Sequence, residues 1–238
     1  MISVCVATYN GEDFLREQID SILTNLPEDA EVVISDDGST DGTLAILGEY
    51  AETDSRVIVI NGPGHGVIKN FENAISHSRG DYIFLSDQDD IWASDKVDTV
   101  MKAFNESDCL LVMHDAVLVD SDNHGIGETL YGLRGSRSGF LKNLGKNSFV
   151  GCCMAFRATL IGTILPIPAD VEMHDWWIGL VAETKGKTCF IPNRLIRYRR
   201  HGRNVSGMNH YPIPKMVANR LRLIVELLAR KAVRGNAY

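Results

Sequence analysis

The chain has 238 residues and a formal net charge of −7, and 45% of its residues are hydrophobic. This length and composition predict one large domain, or two closely joined lobes, with a substantial core. The acidic balance argues against nucleic acid as a partner, because phosphate backbones bind to basic grooves. No apolar run reaches the roughly 18 residues of a membrane span, and no signal peptide is recognisable before the first predicted strand.

Cysteine usage indicates the cellular compartment. The chain has five cysteines, which is an odd number, and it has no CxxC pair. This pattern fits neither the disulfide framework of a small secreted protein nor a structural zinc site. We therefore expect a protein of the reducing cytoplasm.

Strands and helices alternate in the first part of the chain. Residues 2–7 predict a buried strand, and the segments EVVIS, RVIVI and DYIFLS predict three more. Apolar residues at helical spacing predict helices after the first and third strands, namely Phe14, Leu15, Ile19, Ile22, Leu23 and Leu26, and then Phe71, Ala74 and Ile75. Single helices between strands imply right-handed βαβ units and a mostly parallel sheet.

Polar clusters follow three of these strands. TYNGE, DDGSTDG and SDQDD each stand where a strand ends, and the ligand crevice of such a sheet lies beyond the carboxyl ends of its strands. In the third cluster Asp87, Asp89 and Asp90 repel one another unless a positive group lies among them. A solvated turn that caps the next helix is the alternative. A divalent cation would relieve the repulsion, and it would also allow an acidic protein to bind a phosphate-bearing substrate.

The second half of the chain is less regular. SFVGCCMAFR predicts a strand beneath the site, and MHDWW opens a predicted apolar helix. The polar stretch from residue 120 to 139 has no readable element. From residue 212 onward, six Lys or Arg and one Glu surround an apolar stripe, which predicts a basic amphipathic helix. The stripe consists of Ile213, Met216, Val217, Leu221, Ile224, Val225, Leu227 and Leu228.

Several segments together resemble family 2 glycosyltransferases. VCVATYNGE, VVISDDGSTDG, GVIKNFENAI with GDYIFLSDQDD, and MHDWW follow one another in the family's order, and the resemblance covers residues 2–200. It implies an α/β protein with the GT-A fold: a Rossmann-like, mostly parallel sheet with helices on both faces and a smaller acceptor-side region of sheet and helix. It also implies a catalytic domain at 1–211, divided into a nucleotide-sugar-binding half at 1–105 and an acceptor-side half at 106–211. The C-terminal helix at 212–238 follows.

The resemblance further implies an inverting enzyme that uses a nucleotide-sugar donor and Mg²⁺ or Mn²⁺. SDQDDIW and the later YRRHGRNVSG are most similar to the branch that includes bacterial rhamnosyltransferases. The implied donor is a UDP- or dTDP-sugar, such as dTDP-rhamnose, and the implied acceptor is a glycan or lipid-linked saccharide in surface polysaccharide assembly. The processive signature QxxRW is not in the sequence, which implies that one sugar is added per encounter.

The donor-site residues follow from the same resemblance. Asp37 matches the carboxylate that accepts the imide N–H of uracil or thymine, and Tyr9 is a candidate for stacking on the base. Lys69 and Asn70 stand where the family has Arg-Asn, although Lys lacks the planar fork of Arg. The implied donor-binding set is Thr8, Tyr9, Asn10, Glu12, Asp37, Lys69, Asn70, Asp87 and Gln88. Helix capping by Ser39 or Asp41 is an additional role predicted for DDGSTDG.

The metal-site residues come from the DxD motif of the family. Asp89 matches the direct metal ligand, Asp87 matches the residue that reaches the ribose or the metal's shell, and His201 matches a histidine near the metal or diphosphate. The implied metal set is therefore Asp87, Asp89 and His201, with an ordinary surface histidine as the alternative for His201. The sequence also offers Arg199, Arg200 and Arg203 as candidates for clamping phosphates.

The catalytic base and the acceptor contacts lie in MHDWW. Asp175 matches the family's base, whereas His174 replaces the acid that usually precedes it. One of the two tryptophans is expected in the core, and Trp176 is the candidate for stacking on an acceptor sugar. The implied acceptor-binding pair is His174 and Trp176, and we expect the stretch from 120 to 139 to form part of the acceptor wall.

Two other functional classes and two roles for the C-terminal helix remain open. A sugar-phosphate nucleotidyltransferase can share this architecture, but it would need a glycine-rich basic loop where the chain has TYNGED. A non-catalytic nucleotide-sugar or cation-binding module would lack the base, and Asp175 is present. The C-terminal helix fits peripheral contact with an anionic inner membrane leaflet. It fits equally well packing on the catalytic domain or on the second copy of a homodimer.

Overall fold

The computed structural model describes residues 1–201 and 212–235. Strands and helices alternate in the first part: β1 (Ile2–Thr8), α1 (Leu15–Asn25), β2 (Glu31–Asp36), α2 (Thr43–Thr53), β3 (Val57–Asn61), α3 (Val67–His77) and β4 (Tyr82–Ser86). β1 pairs in parallel with β2 and β4, and β3 pairs in parallel with β2. The predicted βαβ repeat is confirmed, and α2 is a helix that the apolar spacing did not reveal.

Burial accounts for the unbroken apolar runs of these strands. Every residue of β2 is buried, and β1 is buried except at Ala7. Successive side chains of a strand point to opposite faces, so both faces of the sheet are covered here, as is typical of parallel sheets. Helix α1 buries Leu15, Gln18, Ile19 and Ile22, which lie on one helical face.

The second part continues the same sheet. It contains β5 (Ile91–Trp92), α4 (Lys96–Glu106), β6 (Cys109–Val119), β7 (Gly125–Thr129), α5 (Leu130–Arg134), α6 (Phe140–Gly145), β8 (Met154–Arg157), α7 (Ile161–Ile164), α8 (His174–Lys185) and β9 (Lys187–Arg199), and α9 (Ile213–Gly235) follows. Among the described residues the strand order is β3-β2-β1-β4-β8-β6-β9-β5, with β7 paired to β6. β8 runs antiparallel to both of its neighbours and so joins the two halves.

Two predictions for the second part need correction. SFVGCCMAFR is a strand only from Met154 to Arg157, because Gly151–Cys153 forms a 3₁₀ turn in which the Cys153 N–H donates to the Val150 carbonyl at 3.0 Å. The stretch from residue 120 to 139 does contain regular elements, namely β7 and α5. β7 is exposed along nearly its whole length, so it lacks the apolar alternation by which a strand is recognised.

The C-terminal segment forms α9, helical as its apolar stripe predicts. Leu223 and Leu227 are buried, at 1% and 8% exposure. The Asn219 amide donates to Glu172 Oε2 at 2.8 Å, and the Arg230 guanidinium donates to the Leu165 carbonyl at 2.6 Å. One face of α9 is thus fixed to the rest of the fold. Within residues 1–201 and 212–235, no helix has both the length and the apolar character needed to cross a membrane.

Gly179 provides a test of the packing of α8. A Cβ at this position would lie 2.2 Å from Cδ2 of the buried Phe149 ring, so the ring or the helix would have to move. We expect Gly179→Ala to lower the free energy of unfolding by roughly 1–3 kcal/mol, the usual cost of overpacking, even though alanine is the better helix former. Urea-induced unfolding measures the change.

Gly48→Ala in α2 is the matched control, because nothing lies within 4 Å of its Cβ position. This substitution should raise the free energy of unfolding by about 0.5–1 kcal/mol. Stabilisation by both substitutions would contradict the packing described for α8.

Candidate active site

Asp36 organises the loop that follows β2. It is 4% exposed, and its carboxylate accepts hydrogen bonds from Thr8 Oγ1 at 2.8 Å, from Ser39 Oγ at 2.6 Å and from the Ser39 N–H at 2.8 Å. These bonds hold the loop against the carboxyl end of β1. The Thr8 side chain is therefore buried beneath the crevice, and its role in donor binding stays a prediction.

Asn10 connects the loops after β1 and β2. Its φ of 48° lies in the left-handed region, which Asn tolerates better than most residues. The Asn10 N–H donates to Ser39 Oγ, and Asn10 Oδ1 accepts the Thr40 N–H, both at 2.8 Å. Asn10 thus supports the crevice wall from within the loop.

Glu12 and Asp41 satisfy the free N–H groups at the start of α2. Glu12 Oε2 accepts the Gly42 N–H at 2.6 Å, and Asp41 Oδ1 accepts the Thr43 N–H at 3.0 Å. Asp41 thus satisfies an N–H at the helix start as predicted, although the N-cap residue itself is Gly42. Glu12 contributes a second cap from the neighbouring loop, which the sequence did not suggest, and a donor contact for Glu12 stays a prediction.

Gln88 ties the acidic loop to Tyr9. Its Oε1 accepts the Tyr9 N–H at 2.8 Å, and its Nε2 donates to the Tyr9 carbonyl at 3.1 Å. A Cβ at Gly11 would lie 2.5 Å from Gln88 Oε1, so glycine makes room for this amide. Gln88 thus holds the Tyr9 backbone through both its N–H and its carbonyl, and Tyr9 as a whole is 56% exposed.

Asp37 holds the glycine-rich loop after β3. Its two oxygens accept the N–H groups of Gly64 and Gly66, each at 2.7 Å. Both glycines are left-handed, with φ values of 70° and 83°. A carboxylate has about four acceptor sites, so two remain for a ligand. The predicted contact with the base stays a prediction.

Lys69 and Asn70 serve different parts of the fold. Lys69 Nζ donates to Glu72 Oε2 at 2.8 Å and to the Ile167 carbonyl at 3.1 Å. Asn70 is 2% exposed, and its Nδ2 donates to the Thr8 carbonyl at 3.1 Å. Lys69 therefore secures the loop before α8, whereas Asn70 secures the end of β1. Direct donor contacts by either residue stay predictions.

Three carboxylates crowd together after β4. Asp87 is half-buried, and Asp89 and Asp90 are buried, at 9% and 1% exposure. Burial, reinforced by the Asp89 charge, raises the pKa of Asp87 to about 7. Burial also raises the pKa of Asp89, and together with its acidic neighbours it raises that of Asp90 well above the usual range. Raised pKa values in one place indicate a need for positive charge.

Lys96 supplies one positive charge from below the carboxylates. It is fully buried, its Nζ donates to the Cys152 carbonyl at 2.9 Å, and the ammonium lies 3.8 Å from the centroid of the Trp92 ring. Burial lowers the pKa of Lys96 to about 8, although neighbouring groups that include Asp90 and Asp87 oppose this shift. One ammonium compensates the charge of one carboxylate, so the charges of the other two need other positive groups.

Arg199, the last residue of β9, locks the acidic loop in place. It is 3% exposed, its N–H donates to Asp90 Oδ1 at 3.0 Å, and its guanidinium donates to the Asp89 carbonyl at 2.9 Å and to Glu17 Oε2 at 2.6 Å. Because these donors are used inside the protein, the prediction that Arg199 clamps phosphates is wrong.

His201 lies beside the carboxylate with which the sequence grouped it. Its Nε2 is 2.8 Å from Asp89 Oδ2, and its ring stacks on Phe14 with centroids 5.0 Å apart and planes inclined by 22°. This packing orients the imidazole toward Asp89. The phosphate contact expected for Arg200 stays a prediction, and Arg203 lies outside the described residues.

The carboxylates of this cluster fit a divalent cation better than the nearby thiol does. The ligand atoms of Asp87, Asp90 and Cys152 lie within 4.8 Å of one another. Burial raises the pKa of the Cys152 thiol well above its usual value, so the sulfur stays protonated and is a poor ligand. Mg²⁺ and Mn²⁺ prefer carboxylate oxygens. Asp90 Oδ2 has no hydrogen-bond partner among the described residues, so a buried acceptor remains for a cation or a water.

Asp175 lies in the first turn of α8, close to the acidic cluster. It is 7% exposed, and its Oδ1 accepts a hydrogen bond from Asn147 Nδ2 at 3.3 Å. Burial raises the pKa of Asp175, partly offset by Arg134, which makes the carboxylate a stronger base. The charge of Asp175 in turn contributes to raising the pKa of Asp87.

The two residues predicted to bind an acceptor are both buried. His174 is 3% exposed and stacks on Phe71 with centroids 4.2 Å apart. Burial lowers its pKa to about 3, so the imidazole is neutral, and neither ring nitrogen has a partner within the described part of the chain. Trp176 is 4% exposed, and its Nε1 donates to the Asn143 carbonyl at 2.7 Å. Acceptor contacts by His174 and Trp176 stay predictions.

Sequence reasoning missed several residues that build the site. Asp36 received no role, and Asp90 was counted in the acidic cluster but not in the metal set. The bond of Asp90 to the Arg199 N–H joins residues 109 positions apart. Glu17 pairs with a residue 182 positions away. Only Lys96 gave a local signal, because it lies on the buried face of α4 with Val97, where a charged residue is unusual.

Known proteins resemble this chain in sequence and in fold. Residues 3–165 match the family described as Glycosyl transferase family 2. The dTDP-rhamnosyl transferase RfbG of Shigella flexneri is 30% identical over 220 residues, which cover 86% of this chain and 74% of that protein. The chain spans only 60% and 21% of two other curated relatives that it matches.

Two solved structures have the same arrangement of strands and helices. S. aureus TarS in complex with UDP-GlcNAc gives a TM-score of 0.75 at 17% identity, over 94% of this chain and 66% of that one. The mannosyltransferase PcManGT from Pyrobaculum calidifontis, in complex with GDP-Man and Mn²⁺, gives 0.64 at 23% identity, over 98% of this chain and 64% of that one. These likenesses confirm the GT-A fold. With residues 3–165 matching the family, this chain belongs to glycosyltransferase family 2.

Proposed function

We propose that this protein transfers one sugar from a UDP- or dTDP-sugar to a glycan or lipid-linked acceptor, with inversion and with the help of Mg²⁺ or Mn²⁺. The observation that carries the proposal is the meeting of an acidic cluster at the end of β4 with a second buried carboxylate, Asp175, whose charge reaches that cluster. Family membership supports a glycosyl transfer. The name of the relative RfbG supports dTDP-rhamnose as a donor.

The nucleotide would bind over the loops after β1 and β2. The ring of Tyr9, an exposed residue, offers a face on which a base can stack. The free acceptor sites of Asp37 suit the imide N–H of uracil or thymine. The bonds of Gln88 to Tyr9 make the base platform and the acidic loop one unit, so the base and the diphosphate of one donor can be bound together.

The diphosphate would lie at the acidic cluster, with a cation between them. Asp87, Asp89 and His201 are the residues that would hold the metal, and the unpaired oxygen of Asp90 lies in the same cluster. A divalent cation supplies charge neutralisation for the departing nucleoside diphosphate as a Lewis acid. The Mn²⁺ in the PcManGT complex supports this assignment.

Asp175 would act on the acceptor side. In a single displacement the acceptor oxygen forms a bond to the anomeric carbon while the bond to the diphosphate breaks on the opposite side. The hydroxyl proton moves to the Asp175 carboxylate, and no covalent enzyme intermediate forms. The raised pKa of Asp175 strengthens it as a base, and its bond from Asn147 orients the carboxylate.

The alternatives fit the chain less well. A sugar-phosphate nucleotidyltransferase needs a basic glycine-rich loop after β1, whereas this loop carries Glu12, which caps α2. A purely binding module would have no use for a buried carboxylate of raised pKa beside the cation site.

Asp89→Asn tests the metal assignment. The substitution removes one ligand charge at the contact with His201, so Mn²⁺ should no longer strengthen the binding of UDP or dTDP. We expect the Mn²⁺-dependent part of the affinity to fall on the order of 100-fold. This is the upper end of the loss in metal affinity that follows removal of an outer-shell partner. Titration calorimetry with and without Mn²⁺ measures the change.

Asp98→Asn, on the exposed face of α4, is the control because it makes the same charge change away from the cluster. It should bind like the parent protein. Undiminished Mn²⁺-dependent binding by Asp89→Asn would refute the metal site.

Asp175→Asn tests the proposed base. The amide keeps the shape of the carboxylate but cannot accept the proton, so sugar transfer should fall by roughly 10²–10⁴-fold, while nucleotide and Mn²⁺ binding survive. In the parent protein, the transfer rate should rise with pH through the raised pKa of Asp175. Because Asp87 also titrates, near pH 7, the variant should lose only the part of the rise that belongs to Asp175. Rates at several pH values, with binding by calorimetry, provide the readout.

A purely structural role gives a different result. If Asp175 only caps α8, asparagine replaces it well, and near-normal turnover by the folded variant would assign the base to another residue.

A further inference from the structure

Helix α9 has a second face that does not pack on the protein. Leu223 and Leu227 are buried, whereas four other aliphatic residues are largely exposed: Val217 at 50%, Leu221 at 57%, Val225 at 62% and Leu228 at 61%. Their spacing of four, four and three residues places them along one side of the helix. We call these four residues the α9 stripe.

The neighbouring helix α6 adds exposed apolar surface. The Arg220 guanidinium of α9 donates to the carbonyl of Gly145 at the end of α6 and lies 5.6 Å from the Trp176 ring. Leu141, also on α6, is 81% exposed. The four residues of the α9 stripe form a row of exposed aliphatic side chains, which is unusual for a surface that faces only water, and α6, which contacts α9 at Gly145, exposes one more.

Charge is concentrated in these same segments. Residues 130–146 contain four Lys or Arg and no acid, and residues 212–235 contain six Lys or Arg and one Glu. Because the whole chain has a net charge of −7, the remaining residues together carry −16. The segment that carries the α9 stripe and the segment that includes α6 are thus strongly basic on an otherwise acidic protein.

We propose that the α9 stripe docks on an anionic lipid bilayer, with its aliphatic side chains in the interface and with exposed basic residues of the same helix, such as Lys215 and Arg222, toward the lipid phosphates. An amphipathic helix with a basic polar face is suited to this position, and basic segments are attracted to anionic lipid. The acidic remainder of the protein is repelled by the same surface, which favours one orientation.

A second copy of the chain is a poorer occupant. A symmetric dimer through the α9 stripe would bring the same basic segment of each copy against the other, and like charges across an interface oppose association. Lipid phosphates instead complement this charge.

The position of α9 on the fold gives the docking a consequence, which rests on the proposed function. Arg220 and Arg230 of α9 lie over the rings of Trp176 and Trp177, the two residues that follow Asp175. A bilayer at the exposed side of α9 would therefore have α8, the helix that carries the proposed base, on the other side of α9, and docking would hold that helix near a membrane that contains a lipid-linked acceptor.

Vesicle flotation tests the docking independently of any transfer assay. The full chain should float with vesicles of phosphatidylcholine and phosphatidylglycerol, and it should not float with phosphatidylcholine alone. Replacing Leu221 and Val225 by Gln should reduce the bound fraction on the order of tenfold or more, because two half-exposed aliphatic groups no longer enter the interface. Both positions are exposed, and circular dichroism verifies that the variant is folded.

Leu44→Gln is the matched control, because Leu44 on α2 is exposed to a similar degree, at 48%. It should float like the parent protein. Failure of the parent to float with anionic vesicles, or equal losses for Leu44→Gln and the α9 variant, would overturn the proposal. A dimer that the α9 substitutions dissociate, seen by sedimentation without vesicle binding, would assign the stripe to a second copy instead.

Discussion

Asp87, Asp89 and Asp90 repel one another at the end of β4, and burial makes their charges still more costly. The surrounding structure supplies positive groups from several directions. Lys96 lies beneath them, and β9 returns along the sheet to place Arg199 against the acidic loop. These groups compensate the cluster only in part. Under the proposed function, the remaining negative charge would attract a divalent cation, and that cation would in turn bind the diphosphate.

The same loop also connects the two sides of the proposed reaction. Toward the donor, Gln88 holds the backbone of Tyr9, so the base platform and the carboxylates form one assembly. Toward the acceptor, the charge of Asp175 reaches Asp87. A bound cation would add positive charge to the cluster and would stabilise Asp87 in its ionised form. Under the proposed function, the cation and the charge of Asp175 would therefore act on the same carboxylate.

Local pattern predicted the strands of the first part well, because each is an apolar run that ends in a polar cluster. The residues of the site were predicted from the resemblance to a family and not from local pattern. The structure brings two of them, Asp89 and His201, together. Local pattern could not predict Lys96 as a buried counter-charge or Arg199 as an internal lock, because their partners lie 56 and about a hundred positions away. The exposed strand β7 has no alternation of apolar and polar residues from which it could be predicted. The 3₁₀ turn at Gly151–Cys153 lies in an apolar segment, so apolar content alone predicts a strand there.

Diffraction from crystals grown with Mn²⁺ and UDP or dTDP, measured near the manganese absorption edge, tests the central claim most directly. The account predicts one strong anomalous peak at ligand distance from a carboxylate oxygen of Asp89 and from the nucleotide diphosphate, with His201 or Asp87 beside it. Nucleotide bound at this edge of the sheet with no anomalous peak at the cluster, or a peak at a different site, would contradict it.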